Sequence, residues 1–125
     1  MIVQVNGIDL FCEIVGKGRP LLMIHGNGED HTIFDEAVQC LKDEFACYLI
    51  DSRGHGQSTP VEQLHYSDMA DDLVLLMEKL DLKEVVFYGF SDGGIVGLLA
   101  AMKTERIRTL SGSNAHFSLK RAELS

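Results

Sequence analysis

Two β-rich runs open the chain, Ile2-Val3-Gln4-Val5 and Ile8 to Val15, separated by Asn6-Gly7. That dipeptide accepts the positive φ angles of a two-residue hairpin turn, so an antiparallel hairpin is expected first. Gly16-Lys17-Gly18-Arg19-Pro20 breaks it. Four later runs, Leu21 to Ile24, Phe45 to Ile50, Val85 to Tyr88 and Ile107 to Leu110, are continuously apolar, as parallel strands buried on both faces are. Helical patterns lie between them. Thr32 followed by Asp35 reads as a capping box ahead of Phe34, Ala37, Val38 and Leu41 on one face. Met69, Leu73, Leu76, Met77 and Leu80 form a second stripe after Ser67, and a third helix should run from Asp92 to about Lys103. Gly94 and Gly97 each cost roughly 1 kcal/mol inside that helix, which makes sense if it lies very close to the sheet. Strand alternating with helix after a hairpin predicts an α/β fold with a mostly parallel sheet.

The length of 125 residues fits a single domain spanning 1–125. With 46% hydrophobic and 24% charged residues and 2 prolines, the composition is globular rather than disordered. Nineteen acidic against eleven basic residues give a net charge of −8, which argues against a basic footprint for nucleic acid or anionic lipid. Cys12, Cys40 and Cys47 are an odd number, each in an apolar stretch, and read as buried reduced thiols, favouring the cytoplasm. No basic segment precedes an apolar run at the start, and no apolar stretch approaches a membrane span. Neither export nor membrane anchoring is expected.

Candidate chemistry sits at strand ends. Gly89-Phe90-Ser91-Asp92-Gly93-Gly94 follows one buried strand and opens the glycine-bearing helix, the context of a G-x-S-x-G nucleophile elbow. A tight turn there strains the serine backbone, and a Cβ two positions to either side would collide with neighbouring backbone. Ser91 is the candidate nucleophile, at a helix N-terminus that favours an oxyanion. The structural alternative is a glycine-rich turn with a capping serine. His25-Gly26-Asn27-Gly28 follows Leu21 to Ile24, where the same architecture needs a loop with a backbone N–H facing the nucleophile. The Asn27 and Asp92 N–H groups would then form the oxyanion hole. The Asp92 carboxylate either stabilises the helix start or pairs with a cationic group on a substrate. A phosphate loop at Gly26-Asn27-Gly28 is excluded, because position 31 is His31 and no G-K-[ST] follows.

Asp51-Ser52-Arg53-Gly54-His55-Gly56-Gln57-Ser58 follows the strand ending at Ile50. The three motifs in this order resemble the α/β-hydrolase family over nearly all of the chain. The resemblance implies an α/β-hydrolase fold with a mostly parallel sheet opened by an N-terminal β-hairpin. The elbow is similar to those of small intracellular esterases, lactonases and amino-acid-ester hydrolases. A dehalogenase would want a carboxylate at position 91; haloperoxidase-like, lactonase and thioesterase chemistry stay open. In the Asp51 loop, Asp51 and Arg53 are expected to fix the loop by ion pairing and hydrogen bonds, with His55 on the rim.

The family's triad runs serine, acid, histidine, and its members are roughly twice as long, with the acid and histidine after later strands. After Ser91 this chain carries Asp92, Glu105 and Glu123 as acids and His116 as its histidine. Glu105 is carried ~21 Å away by the intervening helix. The chain therefore resembles a truncated, nucleophile-bearing portion with the C-terminal strands missing. His25 and His116 are possible substitute bases, following strands on either side of the nucleophile strand. His31 is expected to cap the first helix and His65 to lie on the surface. No metal site and no cofactor are expected, since no histidine pair has zinc-binding spacing with a third ligand.

The expected function is hydrolysis of a small carboxylic ester or related acyl bond through Ser91, with this chain alone inactive. The alternative is a non-catalytic remnant binding a small acyl ligand or protein partner. Without later strands, Ile107 to Leu110 would be an exposed edge above an apolar face, favouring self-association and a tail, Ser111 to Ser125, only partly ordered. Alternatively Phe117, Leu119 and Leu124 fold back over it.

Overall fold

The hairpin forms as expected, with Asn6 at φ 52° and Gly7 at φ 78° between β1 (Ile2–Val5) and β2 (Ile8–Val15). The computed structural model describes residues 1–113 and 117–121. It continues through β3 (Arg19–Ile24), a 3-10 turn (His31–Phe34), α1 (Asp35–Leu41), β4 (Phe45–Ile50) and α2 (Tyr66–Lys79). Then come β5 (Val85–Gly89), α3 (Asp92–Lys103), β6 (Ile107–Gly112) and β7 (Phe117–Lys120). The described strands form one sheet in the order β1-β2-β4-β3-β5-β6-β7. The four apolar runs, β3 to β6, are mutually parallel, and the hairpin joins them through an antiparallel β2–β4 pairing. Arg19 and Pro20 belong to β3 because they pair with Phe45 and Ala46.

Alternation along the strands sends side chains to two cores. On one face Leu22, Ile24 and Phe87 pack beneath α2 and α3 with Leu76, Met77 and Val96, all fully buried. Helix α3 does lie against the sheet: a Cβ at Gly97 would come within 2.6 Å of the Phe87 ring and 2.7 Å of Leu110 Cδ1. The other face, with Leu21, Met23, Cys47 and Leu49, is covered by Phe34 and Val38 of the 3-10 turn and α1. A groove of about 570 Å³ remains beside α1, lined by Val86, Tyr88 and Phe90 among others.

Several expectations need correction. Thr32 is not the cap of the first helix: α1 begins at Asp35 with Phe34 at its N-cap, and the preceding 3-10 turn is capped by Asp30, whose carboxylate accepts the Thr32 N–H. His31 is likewise no cap: its ring and backbone N–H both donate to Asp51. Cys40 is exposed, while Cys12 and Cys47 are buried. Burial pushes the Cys12 thiol up to about 12, leaving it an unreactive core residue.

The expected open edge at Ile107 to Leu110 is also corrected. β7 pairs antiparallel with β6, setting Leu119 opposite Leu110, so the chain supplies its own cover and β7 becomes the outer strand. Arg121 anchors it by donating to the carbonyls of Ile107, Thr104 and Ala101. Ser111 and Gly112 belong to β6. His116, Glu123 and Leu124 lie outside the described residues.

Candidate active site

β5 ends at Gly89 and α3 begins at Asp92, so the chain reverses from strand to helix within Phe90 and Ser91. Ser91 takes φ 56° and ψ −121°, a region costing a non-glycine residue of order 1–3 kcal/mol. The glycines make the turn possible. A Cβ at Gly89 would overlap the Gly93 backbone, and one at Gly93 would overlap the Ile24 carbonyl. The Phe90 N–H bonds the same Ile24 carbonyl at 2.9 Å, fastening the elbow to the end of β3. The serine is half-buried and starts a helix that offers it no side-chain cap bond, unlike an ordinary capping serine.

The loop after β3 meets this elbow. An ideal Cβ on Gly26 would lie 3.1 Å from Ser91 Cβ and 2.8 Å from Glu29 Oε1, so the loop, the serine and the Glu29 carboxylate share one space. Glu29 accepts the Gly26 N–H at 2.8 Å, and His55 Nε2 accepts the Gly28 N–H at 3.0 Å. Among the described residues the intervening Asn27 N–H has no acceptor, nor has that of Asp92, whereas the next amide, Gly93, bonds Phe90 O. Asn27 thus lies in the loop that meets the elbow, and Asp92 directly follows the serine in the chain. Asp92 is half-buried, and its carboxylate faces Tyr66 at the start of α2, pushing that phenol's pKa up.

His25 directly follows β3, next to β5, but its ring is fully engaged. Nδ1 lies 2.7 Å from Gly26 O, an acceptor, and Nε2 lies 3.0 Å from Ser52 N, a donor, so the proton is on Nδ1 and Nε2 accepts. With no free nitrogen and 2% exposure, His25 is a strut rather than a substitute base. His55 corrects the rim expectation in the same way: it is buried, donates from Nδ1 to Arg53 O and packs its ring, tilted by 54°, 4.9 Å from that of His25. The other candidate base, His116, lies outside the described residues. Glu105 follows the C-terminal end of α3, where β6 begins, opposite the sheet end carrying Ser91.

The Asp51 loop is held as its residues suggested, with partners the sequence did not name. Asp51, fully buried, accepts from His31 and from Gln57 N–H. Arg53 reaches α2, where Asp72 takes a bidentate pair at 2.7 and 2.8 Å and also accepts from Asn6. Asp30, His31 and Asp51 bring potential ligand atoms within 4.8 Å of one another. There Asp30 accepts from Thr32, and Asp51 accepts from His31 and from the Gln57 N–H.

Burial lowers the His25 pKa below its ordinary 6.5. The unfolded chain then binds a proton that the folded chain resists, so stability is full above pH 6.5 and lost as pH falls through the lower folded value. Urea denaturation at about pH 7.5 and about pH 5.5 should show a weaker fold at the lower pH, and His25→Asn should reduce the difference. An undiminished difference would assign the effect to other groups.

A model of the family described as alpha/beta hydrolase fold matches residues 19–124. The chain is 37% identical over 124 residues to serine hydrolase BPHL of Mus musculus, covering 91% of this chain and 43% of that protein. It is 27% identical to 3-oxoadipate enol-lactonase 1 of Acinetobacter baylyi, with coverages of 92% and 44%. A hydrolase from Pseudomonas aeruginosa superposes with a TM-score of 0.86 at 26% identity, covering 91% of this chain and 45% of that one. A marine microorganism esterase gives 0.78 at 31% identity, with coverages of 82% and 40%. The chain thus spans less than half the length of each of these relatives.

Proposed function

This chain belongs to the α/β-hydrolase family, and from that premise we propose that it is the nucleophile-bearing portion of a serine hydrolase acting on a small carboxylic ester or related acyl bond. The observation carrying this reading is the backbone of Ser91, held at φ 56° at the junction of β5 and α3. Strain of that kind persists only where the surroundings impose it, and here the glycine contacts at positions 89 and 93 do so. In this reading Ser91 Oγ attacks the acyl carbon, and the oxygen that becomes negative is received by the Asn27 and Asp92 N–H groups. With His25 engaged, no described residue supplies the general base, so the chain by itself should turn over little or nothing. The names of the relatives, a serine hydrolase and an enol-lactonase among them, support acyl chemistry without selecting the acyl group.

Intact-mass measurement after exposure to a fluorophosphonate tests the proposal. A single adduct mapped to Ser91 and absent from Ser91→Ala supports a functional elbow. No adduct on a folded chain favours the other reading, a non-catalytic remnant that binds a small acyl ligand or a partner.

The proposal extends to setting and assembly. No helix among the described residues is long and apolar enough to cross a membrane, and a cytoplasmic enzyme with a small acyl substrate is the corresponding reading. Self-association would now proceed through β7, the outer strand, rather than through β6. Light scattering over a dilution series should show a mass that rises with concentration; a constant 13.8 kDa species would remove self-association.

A further inference from the structure

We infer that His25 is a positioning residue for the oxyanion-binding loop: by donating from Nδ1 to the Gly26 carbonyl it sets the rotation of the peptide whose opposite edge carries the Asn27 N–H. The inference rests on the proposed role of Asn27 and adds what holds that amide in place.

The physical argument begins with peptide planarity. Gly26 C=O and Asn27 N–H belong to one rigid unit, and in a trans peptide they point in opposite directions; no cis peptide occurs among the described residues. Holding the oxygen therefore aims the N–H. Gly26 O is held from the His25 ring at 2.7 Å and from Glu29 N–H at 3.3 Å. The ring is itself held, because its Nε2 accepts the Ser52 N–H at 3.0 Å from the loop after β4. The peptides on either side are tied too, through Gly26 N–H to Glu29 and Gly28 N–H to His55. A Gly-Asn-Gly segment has large conformational freedom when untied. An oxyanion hole acts through donors oriented before the charge appears, so such a loop needs this kind of fixing.

Two substitutions separate the ring's two bonds. In His25→Asn the side-chain amide can stand near the Nδ1 position and keep a donor toward Gly26 O. In His25→Gln the longer side chain reaches the Nε2 position, keeping an acceptor for Ser52 N–H while leaving Gly26 O without its ring donor. Residual dipolar couplings of the Asn27 N–H in the ¹⁵N-labelled 125-residue chain read that bond's orientation directly. Couplings at Phe90 and Gly93 report whether the elbow is intact. The expected result is an Asn27 coupling kept in His25→Asn and averaged toward zero in His25→Gln, with Phe90 and Gly93 unchanged in both. The rate of fluorophosphonate modification at Ser91 should fall about tenfold or more in His25→Gln and stay within about threefold of wild type in His25→Asn. An Asn27 coupling unchanged in His25→Gln, or lost equally in both variants with the elbow intact, overturns the inference. Should either variant fail to fold, ring ¹⁵N shifts of the unsubstituted chain decide: a proton on Nδ1 is required, and one on Nε2 overturns it. If wild type is not modified at Ser91, the hydrolase reading fails, while the couplings and ring shifts still judge His25.

Discussion

Asn27→Pro should slow modification of Ser91 by a fluorophosphonate ~10²–10³-fold, while Asn27→Ala changes it little, provided both variants keep the wild-type melting curve. The contrast follows from where the contribution resides. The Asn27 N–H has no acceptor among the described residues, between neighbours whose amides are both tied by side chains. Alanine keeps that amide and proline deletes it. The Asn27 side chain is exposed and makes no hydrogen bond among the described residues. Equal losses in the two variants would move the contribution to the side-chain amide and displace Asn27 N–H from the oxyanion hole.

Asp72→Ala should destabilise the chain by about 3–5 kcal/mol, a large share of a small domain's stability. Asp72 is 1% exposed and the Arg53 side chain 12%, so deleting the carboxylate strands a largely buried guanidinium whose nearest other acid, Asp68, lies 4.0 Å away. It also removes the acceptor of the Asn6 side chain in the hairpin turn. Three segments lose their junction at once: the hairpin, the Asp51 loop and α2. Urea unfolding measures the loss, and combining Arg53→Met with Asp72→Leu should recover much of it, since an apolar pair leaves no buried charge unmatched. A loss under about 1 kcal/mol for Asp72→Ala would place the pair among exposed salt bridges of little weight.

The strands, the helices and the elbow were legible because each is written in neighbouring residues. Asn6-Gly7 carries its own turn geometry, the apolar runs carry their own burial, and Gly89 to Gly93 carries the spacing that a strand-to-helix reversal needs. Even the order of motifs at strand ends could be read, since parallel strands linked by helices bring successive loops to the same end of the sheet. The start of the first helix is less legible. Thr32 and Asp35 have capping-box spacing, but Asp30 captures the Thr32 amide and winds a 3-10 turn ahead of α1. Two local signals competed there, and only the packing of His31 against Asp51 selected one.

The sequence by itself determined which residues stand at the carboxyl end of the parallel strands: Ser91 on its strained turn, and Asn27 and Asp92 in the segments beside it. Which polar group answers which was decided by the tertiary structure alone. His25 meets Ser52, and His55 meets Gly28, each across 27 residues; Arg53 meets Asp72 across 19. A buried histidine, aspartate or arginine must find a partner, and the sequence states that need without naming the partner. The choice depends on the sheet order, which sets β3 between β4 and β5 and so brings the loops after β3 and β4 together above their carboxyl ends. The same holds for β7, a short segment whose pairing is fixed by the open edge of β6. Burial and periodicity are properties of a segment, whereas a hydrogen-bond partner is a property of the packing.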